Sequence, residues 1–241
     1  MFEGGETAQM PLAFDVSLFA ALDVRVDATP EGVAEGRLSV EATDGVKLTR
    51  FDLRLYSRSD EPFFETSGPV EDRRVEWQKA SQLVLRAVLV VHDELKRFRE
   101  VTLYPWRVNI PHEEVHFDTG SATISSAEEP KLTRTFDELR GTLADYGRWA
   151  PVKLFVVGHT DTVGSERSNY ELSKARATAI ATWFAKRGVD VPIYATGLGE
   201  TNLATQTPDE TDEAQNRRAE YVVAVEIPVL PSGAPRWTTI R

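Results

Sequence analysis

The chain has 241 residues, of which 41% are hydrophobic and 27% are charged, an ordinary composition for one large or two medium-sized globular domains. Its formal net charge of -10 at pH 7 argues against binding to nucleic acid or anionic lipid, because both require a basic face. The mean hydropathy is -0.32, and no apolar run approaches the ~20 residues of a membrane-spanning helix.

Cysteine is absent, so disulfides, thiolate metal ligands and thiol catalysis are excluded. We expect neither a cofactor nor a metal. The N-terminal residues are acidic and lack the basic-then-apolar pattern of a signal peptide. The sequence alone leaves two alternatives, a cytosolic protein or a mature chain from which a leader has been removed.

Residues 1–108 predict a small β-sandwich of the immunoglobulin or fibronectin type. Short segments alternate apolar and polar side chains, as half-buried strands do, and turn sequences separate them. We expect Trp77 and Trp106 in its core and find no residues that resemble a binding site. By analogy with its fold class alone, this half is a spacer or binds a protein partner. The predicted strands cover residues 22–26, 37–41, 50–55, 83–91 and 101–108.

After Pro111 the pattern predicts a second domain, at residues 109–230, with the order β-α-β-α-β-β. Such an order favours an α+β fold in which helices cover one face of a mixed sheet. The tail at 231–241 is rich in Pro, Ser and Gly and is predicted to be flexible. The predicted strands lie at 114–117, 153–157, 193–196 and 220–227.

Two capping boxes predict where the helices of this domain begin, one at residues 126–129 and one at 168–171. Gly188 is predicted to end the second helix. Each helix has one apolar stripe at helical spacing. The first stripe is Leu132, Phe136, Leu139 and Leu143, and the second is Leu172, Ala175, Ala179 and Trp183.

Residues 112–116 read His-Glu-Glu-Val-His and match the zinc-protease pattern H-E-x-x-H. That chemistry requires a helix, so that both histidines share a face with the metal. Pro111 and Gly120 leave room for only about two helical turns, and no third ligand follows in register. We therefore interpret the match of His112 and His116 as coincidental.

Asp118, Thr119 and Gly120 look like the catalytic loop of an aspartic protease. That mechanism needs two aspartates that share one proton. The chain holds no second Asp-Thr-Gly, and the two capped helices do not fit a retroviral-type protease dimer. A hydrolase that uses Asp118 or the histidine pair remains the less favoured alternative.

Five short motifs occur in order between Val156 and Tyr221, and together with the segment 115–124 they resemble the OmpA-like (OmpA–Pal–MotB) C-terminal domain family. The resemblance covers roughly residues 112–228. Each piece is weak alone, but the order and the elements that carry the pieces make the set specific. The motifs are Gly-His-Thr-Asp-Thr-Val-Gly at 158–164, Asn169, Leu-Ser-Lys-Ala-Arg-Ala at 172–177, Gly-Leu-Gly-Glu at 197–200 and Asn-Arg-Arg-Ala-Glu at 216–220.

These motifs place an acid and a base near one helix end. Asp161 follows a strand, where open α/β sheets bind ligands. Asn169 and Leu172 are predicted in the first helical turn, whose dipole favours an anion. Arg176 lies four residues after Leu172, on the same face. The pair suits an amino-acid head group, with Asp161 on the ammonium and Arg176 on the carboxylate. No nucleophile has an adjacent base, so no reaction is implied.

The resemblance implies the identity of the ligand, meso-diaminopimelate in the stem peptide of peptidoglycan, and hence a non-enzymatic cell-wall anchor of the periplasm, associated with the outer membrane. It assigns the main contacts to Asp161 and Arg176. An alternative keeps the fold as a protein–protein adaptor without ligand. Supporting contacts are expected from Thr160, Asn169, Leu172, Arg217, Asp118, Thr119 and Gly120.

Three features depart from the family pattern. Gly120 replaces a polar side chain, so any contact there must come from the backbone. Ala219 replaces a common valine. The loop at 207–213 is unusually acidic and is expected to screen or pair with Arg217.

Overall fold

The computed structural model describes residues 20–118, 120–231, 234 and 236–241. Within these ranges the chain forms three β-sheets, two in the N-terminal half and one in the C-terminal half. No helix in the described ranges has the length and apolarity needed to cross a membrane.

The N-terminal half consists of two antiparallel sheets that share one apolar core. One sheet has the order β1-β2-β5 and the other β4-β3-β6-β7. Buried side chains of β2, such as Val40, lie in the same cluster as Leu53 of β3 and Leu89 of β6. The elements are β1 (Val24–Asp27), α1 (Pro30–Glu35), β2 (Arg37–Ala42), β3 (Leu48–Tyr56), β4 (Phe64–Pro69), β5 (Arg74–Glu76), β6 (Arg86–Asp93) and β7 (Phe98–Leu103).

The C-terminal half is a five-stranded mixed sheet, in the order β12-β10-β9-β11-β8, together with two long helices. The central strand β9 pairs in parallel with β10 and antiparallel with β11. The predicted α+β class with a mixed sheet is confirmed. The elements are β8 (Arg107–Asn109), α2 (Glu129–Tyr146), β9 (Lys153–Gly158), α3 (Glu166–Lys186), β10 (Ile193–Gly197), β11 (Ala219–Ala224) and β12 (Thr238–Thr239).

The first strand of this sheet differs from the prediction. It is β8, which pairs with β11, and not the segment 114–117. Pro105 has no N–H for a ladder and separates β7 from β8, so the predicted strand 101–108 is divided between two sheets. Residues 114–117 instead bond to side chains near the start of α2. His116 N donates to Glu128 Oε2 at 2.8 Å, and Lys131 Nζ donates to the carbonyl of Glu114 at 3.0 Å.

Both predicted capping boxes are wrong. Helix α2 begins at Glu129 without a side-chain cap. Helix α3 begins at Glu166, where Ser165 Oγ accepts from the backbone N–H of Ser168 at 3.2 Å. Ser168 is therefore already inside the helix, and its hydroxyl donates back to the Ser165 carbonyl at 2.8 Å.

The apolar stripe predicted for α2 is confirmed, because all four side chains belong to the core of the C-terminal half. The stripe predicted for α3 is wrong, since Ala175 is exposed. Trp183 of that stripe is half-buried and meets Phe136 of α2 edge-on, with ring centroids 6.4 Å apart. The buried face of α3 consists of Asn169, Ser173, Ala177, Ile180, Ala181 and Phe184.

The last residues are not a loose tail. Thr238–Thr239 pair antiparallel with β10, and the ring of Trp237 lies 5.0 Å from that of Phe155. Arg241 donates to the carbonyl of Val189 at 2.9 Å. The prediction of a flexible tail is wrong for these residues, because it was based on Pro, Ser and Gly at 228–235 and not on the short strand that follows them.

Trp77 packs against the N-terminal core as predicted, but Trp106 does not. Its indole is buried in the C-terminal core and stacks on Tyr146 of α2 at a centroid distance of 4.9 Å. Its Nε1–H donates to the carbonyl of Leu85, just before β6, at 2.8 Å. Trp106 therefore connects the two halves of the chain.

Candidate ligand-binding site

The motif segments meet at one edge of the C-terminal sheet, where β9 and β10 end and β11 begins. Gly158 and Gly197 are register partners in the parallel pair, and Gly158 also faces Ala219 of β11. Beyond these strand ends, His159 N donates to the carbonyl of Arg218 and Thr160 N to that of Gly199, each at 2.9 Å. The motif segments therefore meet at strand ends, and their role as a ligand site stays a prediction.

The carboxylate of Asp161 is shielded from solvent and forms an ion pair within the protein. Its side chain is 10% exposed, and its Oδ2 accepts from Arg217 Nη1 at 2.5 Å. The other oxygen, Oδ1, accepts from the backbone N–H of Val163 at 3.4 Å. The acid that is predicted to pair with a ligand ammonium thus holds an internal ion pair.

Arg217 lies between two carboxylates. The same Nη1 also donates to Asp212 Oδ1, and the Asp212 side chain is 79% exposed. Hydrogen bonds to Asp161 and Asp212 raise the pKa of Arg217 above its usual value. The expected pairing of the acidic loop with Arg217 is confirmed for Asp212.

Arg176 is the cation of the site without an acid partner. Its Nε donates to the carbonyl of Ser121 at 3.0 Å and its Nη2 to that of Asp118 at 3.4 Å, and its guanidinium lies 5.1 Å from the ring centre of Phe117. Among the described residues, no carboxylate oxygen lies within ion-pair distance of Arg176. Burial, and then the nearby charge of Arg217, lower its pKa, whereas Asp161 raises it.

A pocket of about 120 Å³ lies beside Arg176 and Arg217, and the carboxylates of Asp161 and Asp212 do not line it. Two arginines that approach it, Arg176 and Arg217, belong to the predicted site, and a third, Arg218, is neutralised by Glu220 at 2.8 Å. The pocket therefore combines apolar and polar walls with the charge of Arg176, which no carboxylate of the described residues compensates. Its lining residues are Val115, His116, Phe117, Gly158, His159, Arg176, Arg217, Arg218 and Ala219.

His159 is a buried polar residue in the lining of this pocket. Its imidazole is fully buried, and neither ring nitrogen has a hydrogen-bond partner among the described residues. Burial, reinforced by the charge of Arg218, lowers the pKa of His159 to about 4. At neutral pH the ring is uncharged, so it adds no positive charge to the pocket.

The other predicted contacts fall into two groups. Asn169 is buried behind the turn, where its Nδ2 donates to the Asp161 carbonyl at 3.3 Å and to Glu200 Oε2 at 2.6 Å. Thr160 is also buried, whereas Leu172 is half-buried and Gly120 is exposed with φ +68°. Because α3 begins at Glu166, Asn169 and Leu172 lie beyond the first free N–H groups of the helix. Thr119 lies outside the described residues.

The H-E-x-x-H segment does not have the geometry of a zinc site. The segment 111–118 is not helical, and both ring nitrogens of His112 lie against backbone carbonyls, Nδ1 at 2.8 Å from Ile110 O and Nε2 at 2.7 Å from Ala219 O. Burial opposes the charged form, but contacts with Glu114 and these carbonyls raise the pKa of His112 overall. Within the described ranges, no group of three or more His, Asp or Glu is arranged around a possible ion.

Some residues of the site were missed in the sequence. Phe117 and Ser121 hold Arg176, and His159 lines the pocket. His159 lies within the Gly-His-Thr-Asp motif, next to the predicted Thr160, so its position in the motif was the available signal. No local signal marks the role of Ser121, since it acts through its backbone carbonyl.

This fold and site define a small α+β domain in which Arg176 and Arg217 line one pocket at the strand ends and Asp161 pairs with Arg217. Comparison with known proteins identifies its family. The model described as "OmpA family" matches residues 116–217. This segment is an OmpA-family domain, and the resemblance stated from the motifs is confirmed.

Three curated proteins illustrate the likeness. The chain is 32% identical over 122 residues to "Photosystem I P700 chlorophyll a apoprotein A2" of Gloeobacter violaceus, covering 48% of this chain and 13% of that protein. It is 32% identical over 118 residues to "Probable lipoprotein YiaD" of Escherichia coli, covering 48% and 50%. It is also 32% identical over 110 residues to "Peptidoglycan-binding protein ArfA" of Mycobacterium tuberculosis, covering 45% and 32%.

A solved structure described as the cell wall anchor of the T6SS from Pseudomonas aeruginosa is 23% identical, with a TM-score of 0.38. That match covers 62% of this chain and 86% of the other. The chain spans half or less of the length of the curated relatives named above.

Proposed function

We propose that the domain at residues 109–230 binds peptidoglycan non-covalently, through the meso-diaminopimelate of the stem peptide, and so attaches the chain to the cell wall. The observation that carries the proposal is the guanidinium of Arg176, which has no carboxylate partner among the described residues, at a pocket that is also lined by Arg217, the partner of the shielded carboxylate of Asp161. A relative named as a peptidoglycan-binding protein supports the ligand class.

The carboxylate of diaminopimelate would bind to Arg176. Backbone carbonyls hold this guanidinium in place but leave its net charge uncompensated. A carboxylate supplies that charge and accepts charge-assisted hydrogen bonds, which are stronger in a half-buried site than in water. The stacking on Phe117 further restricts the guanidinium, so little side-chain entropy is lost on binding.

The ammonium of the same amino-acid head group would bind to Asp161. A pocket of about 120 Å³ is smaller than the sites that enclose drug-sized ligands, so it fits a head group and not a sugar. In this proposal the remaining residues shape or rim the site and do not carry its charge. They are Thr160, Asn169, Leu172, Arg217, Asp118 and Gly120.

Sedimentation with purified sacculi tests the proposal. We expect Arg176→Ala or Asp161→Ala to weaken binding by about 2–4 kcal/mol, because each leaves one ligand charge without a partner. Arg187→Ala is the matched control, since Arg187 lies 11 residues further along, about 16 Å from Arg176, and pairs with Glu129. Equal sedimentation of Arg176→Ala and Arg187→Ala would contradict the proposal.

A cell-wall ligand implies a periplasmic chain, and we propose an association with the outer membrane. A relative named as a probable lipoprotein and others named as outer membrane proteins support this location. This location is inferred from the ligand, so the proposed location would be contradicted if the chain does not bind sacculi.

We further propose that the N-terminal half is a β-sandwich of the immunoglobulin or fibronectin type that spaces the anchor or docks an envelope protein. Its exposed sheet face carries Phe98, which is 67% exposed beside the charged pairs Arg50–Asp52 and Arg54–Glu100. A chain that begins at residue 104 retains β8 and Trp106. We expect it to bind sacculi and to lose any partner captured by the full chain. Retention of every partner would exclude a docking role.

A further inference from the structure

Asp161, the acid that is proposed to bind the ligand ammonium, is already paired with Arg217. Arg217 Nη1 lies 2.5 Å from Asp161 Oδ2, closer than most charged hydrogen bonds. An incoming ammonium and the guanidinium of Arg217 would therefore compete for the same oxygen.

The two carboxylates around Arg217 differ in exposure. Asp161 is 10% exposed, Arg217 is 38% exposed and Asp212 is 79% exposed. The guanidinium, which lines the pocket, therefore lies between a shielded acid and a solvent-exposed one. A small outward rotation would give up the inner contact and keep the outer one.

The outer acid belongs to a loop that is fastened to the site. Thr162 Oγ1 donates to the carbonyl of Pro208 at 2.7 Å and accepts from the N–H of Thr211 at 3.0 Å. Glu210 N donates to the Thr162 carbonyl at 3.0 Å, and Gly164 N donates to Glu210 Oε2 at 3.4 Å. The backbone next to Asp212 is therefore fastened beside the turn that carries Asp161, by bonds that do not involve Arg217.

We infer that Arg217 is an internal counter-ion of Asp161 that an ammonium ligand displaces, and that Asp212 receives the displaced guanidinium. The inference rests on the proposed function. In the closed form Arg217 neutralises Asp161, and in the open form Asp161 pairs with the ligand while Arg217 pairs with Asp212 alone. The fraction of open molecules scales the apparent affinity, because a closed site cannot bind the ammonium.

The carboxylate end of the ligand is not subject to this competition. Arg176 has no acid partner among the described residues, so it accepts a carboxylate without an exchange of ions. Arg217 and Asp212 therefore control only the response to the ammonium. Arg176 contributes little to selection against simple dicarboxylates. That selection comes mainly from the negative charge of the buried Asp161.

Titration calorimetry on the full chain with two probes separates these roles. The probes are meso-diaminopimelate and pimelate, the same dicarboxylate without amino groups. The variants are Asp212→Asn and Arg217→Gln, and Asp209→Asn is the control because it removes a charge from the same loop and keeps an acceptor for Glu210 N. The unfolding midpoint of each variant shows whether it is folded.

We expect Asp212→Asn to weaken binding of diaminopimelate roughly three- to tenfold, because the displaced guanidinium loses its partner. Arg217→Gln should tighten it by a similar factor, and Asp209→Asn should change it less than twofold. Pimelate affinity should be the same in the wild type and in Asp212→Asn.

Equal weakening of both probes by Arg217→Gln would overturn the inference and make Arg217 a direct contact of the ligand carboxylate. Equal affinities of Asp212→Asn and Asp209→Asn for diaminopimelate would overturn the role of Asp212. In either case the proposed function stands if Arg176→Ala weakens sedimentation with sacculi relative to Arg187→Ala. If the wild-type chain binds neither diaminopimelate nor sacculi, the proposed function fails and the inference fails with it.

Discussion

Gly158 at the end of β9 and Gly197 at the end of β10 face each other in the parallel pair, and both lie directly beneath Ser173 of α3. A Cβ at position 158 would stand 2.3 Å from the Ser173 carbonyl oxygen, and one at position 197 would stand 2.3 Å from the backbone N of Lys174. These two glycines therefore set how closely α3, which carries Arg176, approaches the sheet.

We expect Gly158→Ala and Gly197→Ala each to lower the free energy of unfolding by about 2 kcal/mol or more, because the new methyl meets backbone that cannot move aside cheaply. Gly141→Ala is the matched control. Gly141 lies inside α2, and no other atom lies within 4 Å of a Cβ placed at this position. That change should stabilise the chain by about 0.5–1 kcal/mol. Urea unfolding measures all three, and equal stabilities would refute the close-packing argument.

The convergence of the site could be predicted from the sequence because its motifs sit at the ends of strands. Asp161 and Arg217 adjoin β9 and β11, and neighbouring strands of a sheet bring their ends together. The ion pair between them could not be predicted. It depends on the backbone path just after β9 and just before β11, and hydrophobic periodicity does not describe that path.

Helix ends and the domain junction were harder to predict for local reasons. Ser165 and Ser168 both suit a cap, and only the observed backbone shows that Ser165 takes the role. The apolar side of α3 was misjudged because alanines occur on both its buried and its exposed faces, so alanine does not mark the core. Trp106 was assigned to the wrong core, since burial of a tryptophan is predictable but its neighbours are not.

Substitution of Trp106, at the junction of the two halves, should strongly lower the free energy of unfolding. Trp106→Ala removes the stacking on Tyr146 and the hydrogen bond to the Leu85 carbonyl, and it leaves a cavity in the core. We expect a loss of about 3–5 kcal/mol in the free energy of unfolding. Phe98→Ala, at an exposed aromatic, should stay within about 0.5 kcal/mol of the wild type. Denaturant unfolding compares the two variants, and similar losses would rule out a core role for Trp106.

His159 should make the chain less stable in mild acid. Its pKa is about 4 in the folded chain, below the usual 6.5, so between these values the unfolded chain binds a proton that the folded chain does not. Stability from this group is complete above pH 6.5 and is lost as the pH falls towards 4. The slope is about 1.4 kcal/mol per pH unit, or roughly 2 kcal/mol between pH 6.5 and 5.

Urea unfolding at pH 6.5 and pH 5 measures this loss. His159→Gln serves as the comparison, because it keeps a polar side chain but does not titrate. We expect the stability difference between the two pH values to shrink by roughly 2 kcal/mol in this variant. An undiminished difference would show that the acid sensitivity arises elsewhere in the chain.

The C-terminal strand should stabilise the domain without contributing to ligand binding. β12 covers the edge of β10, Trp237 packs on Phe155, and Arg241 Nη2 pairs with Asp190 at 2.6 Å. Removing residues 236–241 deletes these contacts and leaves β10 as an unpaired edge, which favours self-association. We expect a loss of about 2–4 kcal/mol in unfolding free energy and concentration-dependent oligomers in size-exclusion chromatography. Binding to sacculi should persist, because β12 pairs with residues 194–195 while the pocket lies beyond Gly197. A truncated chain as stable and as monomeric as the full one would show that β12 contributes nothing to the sheet.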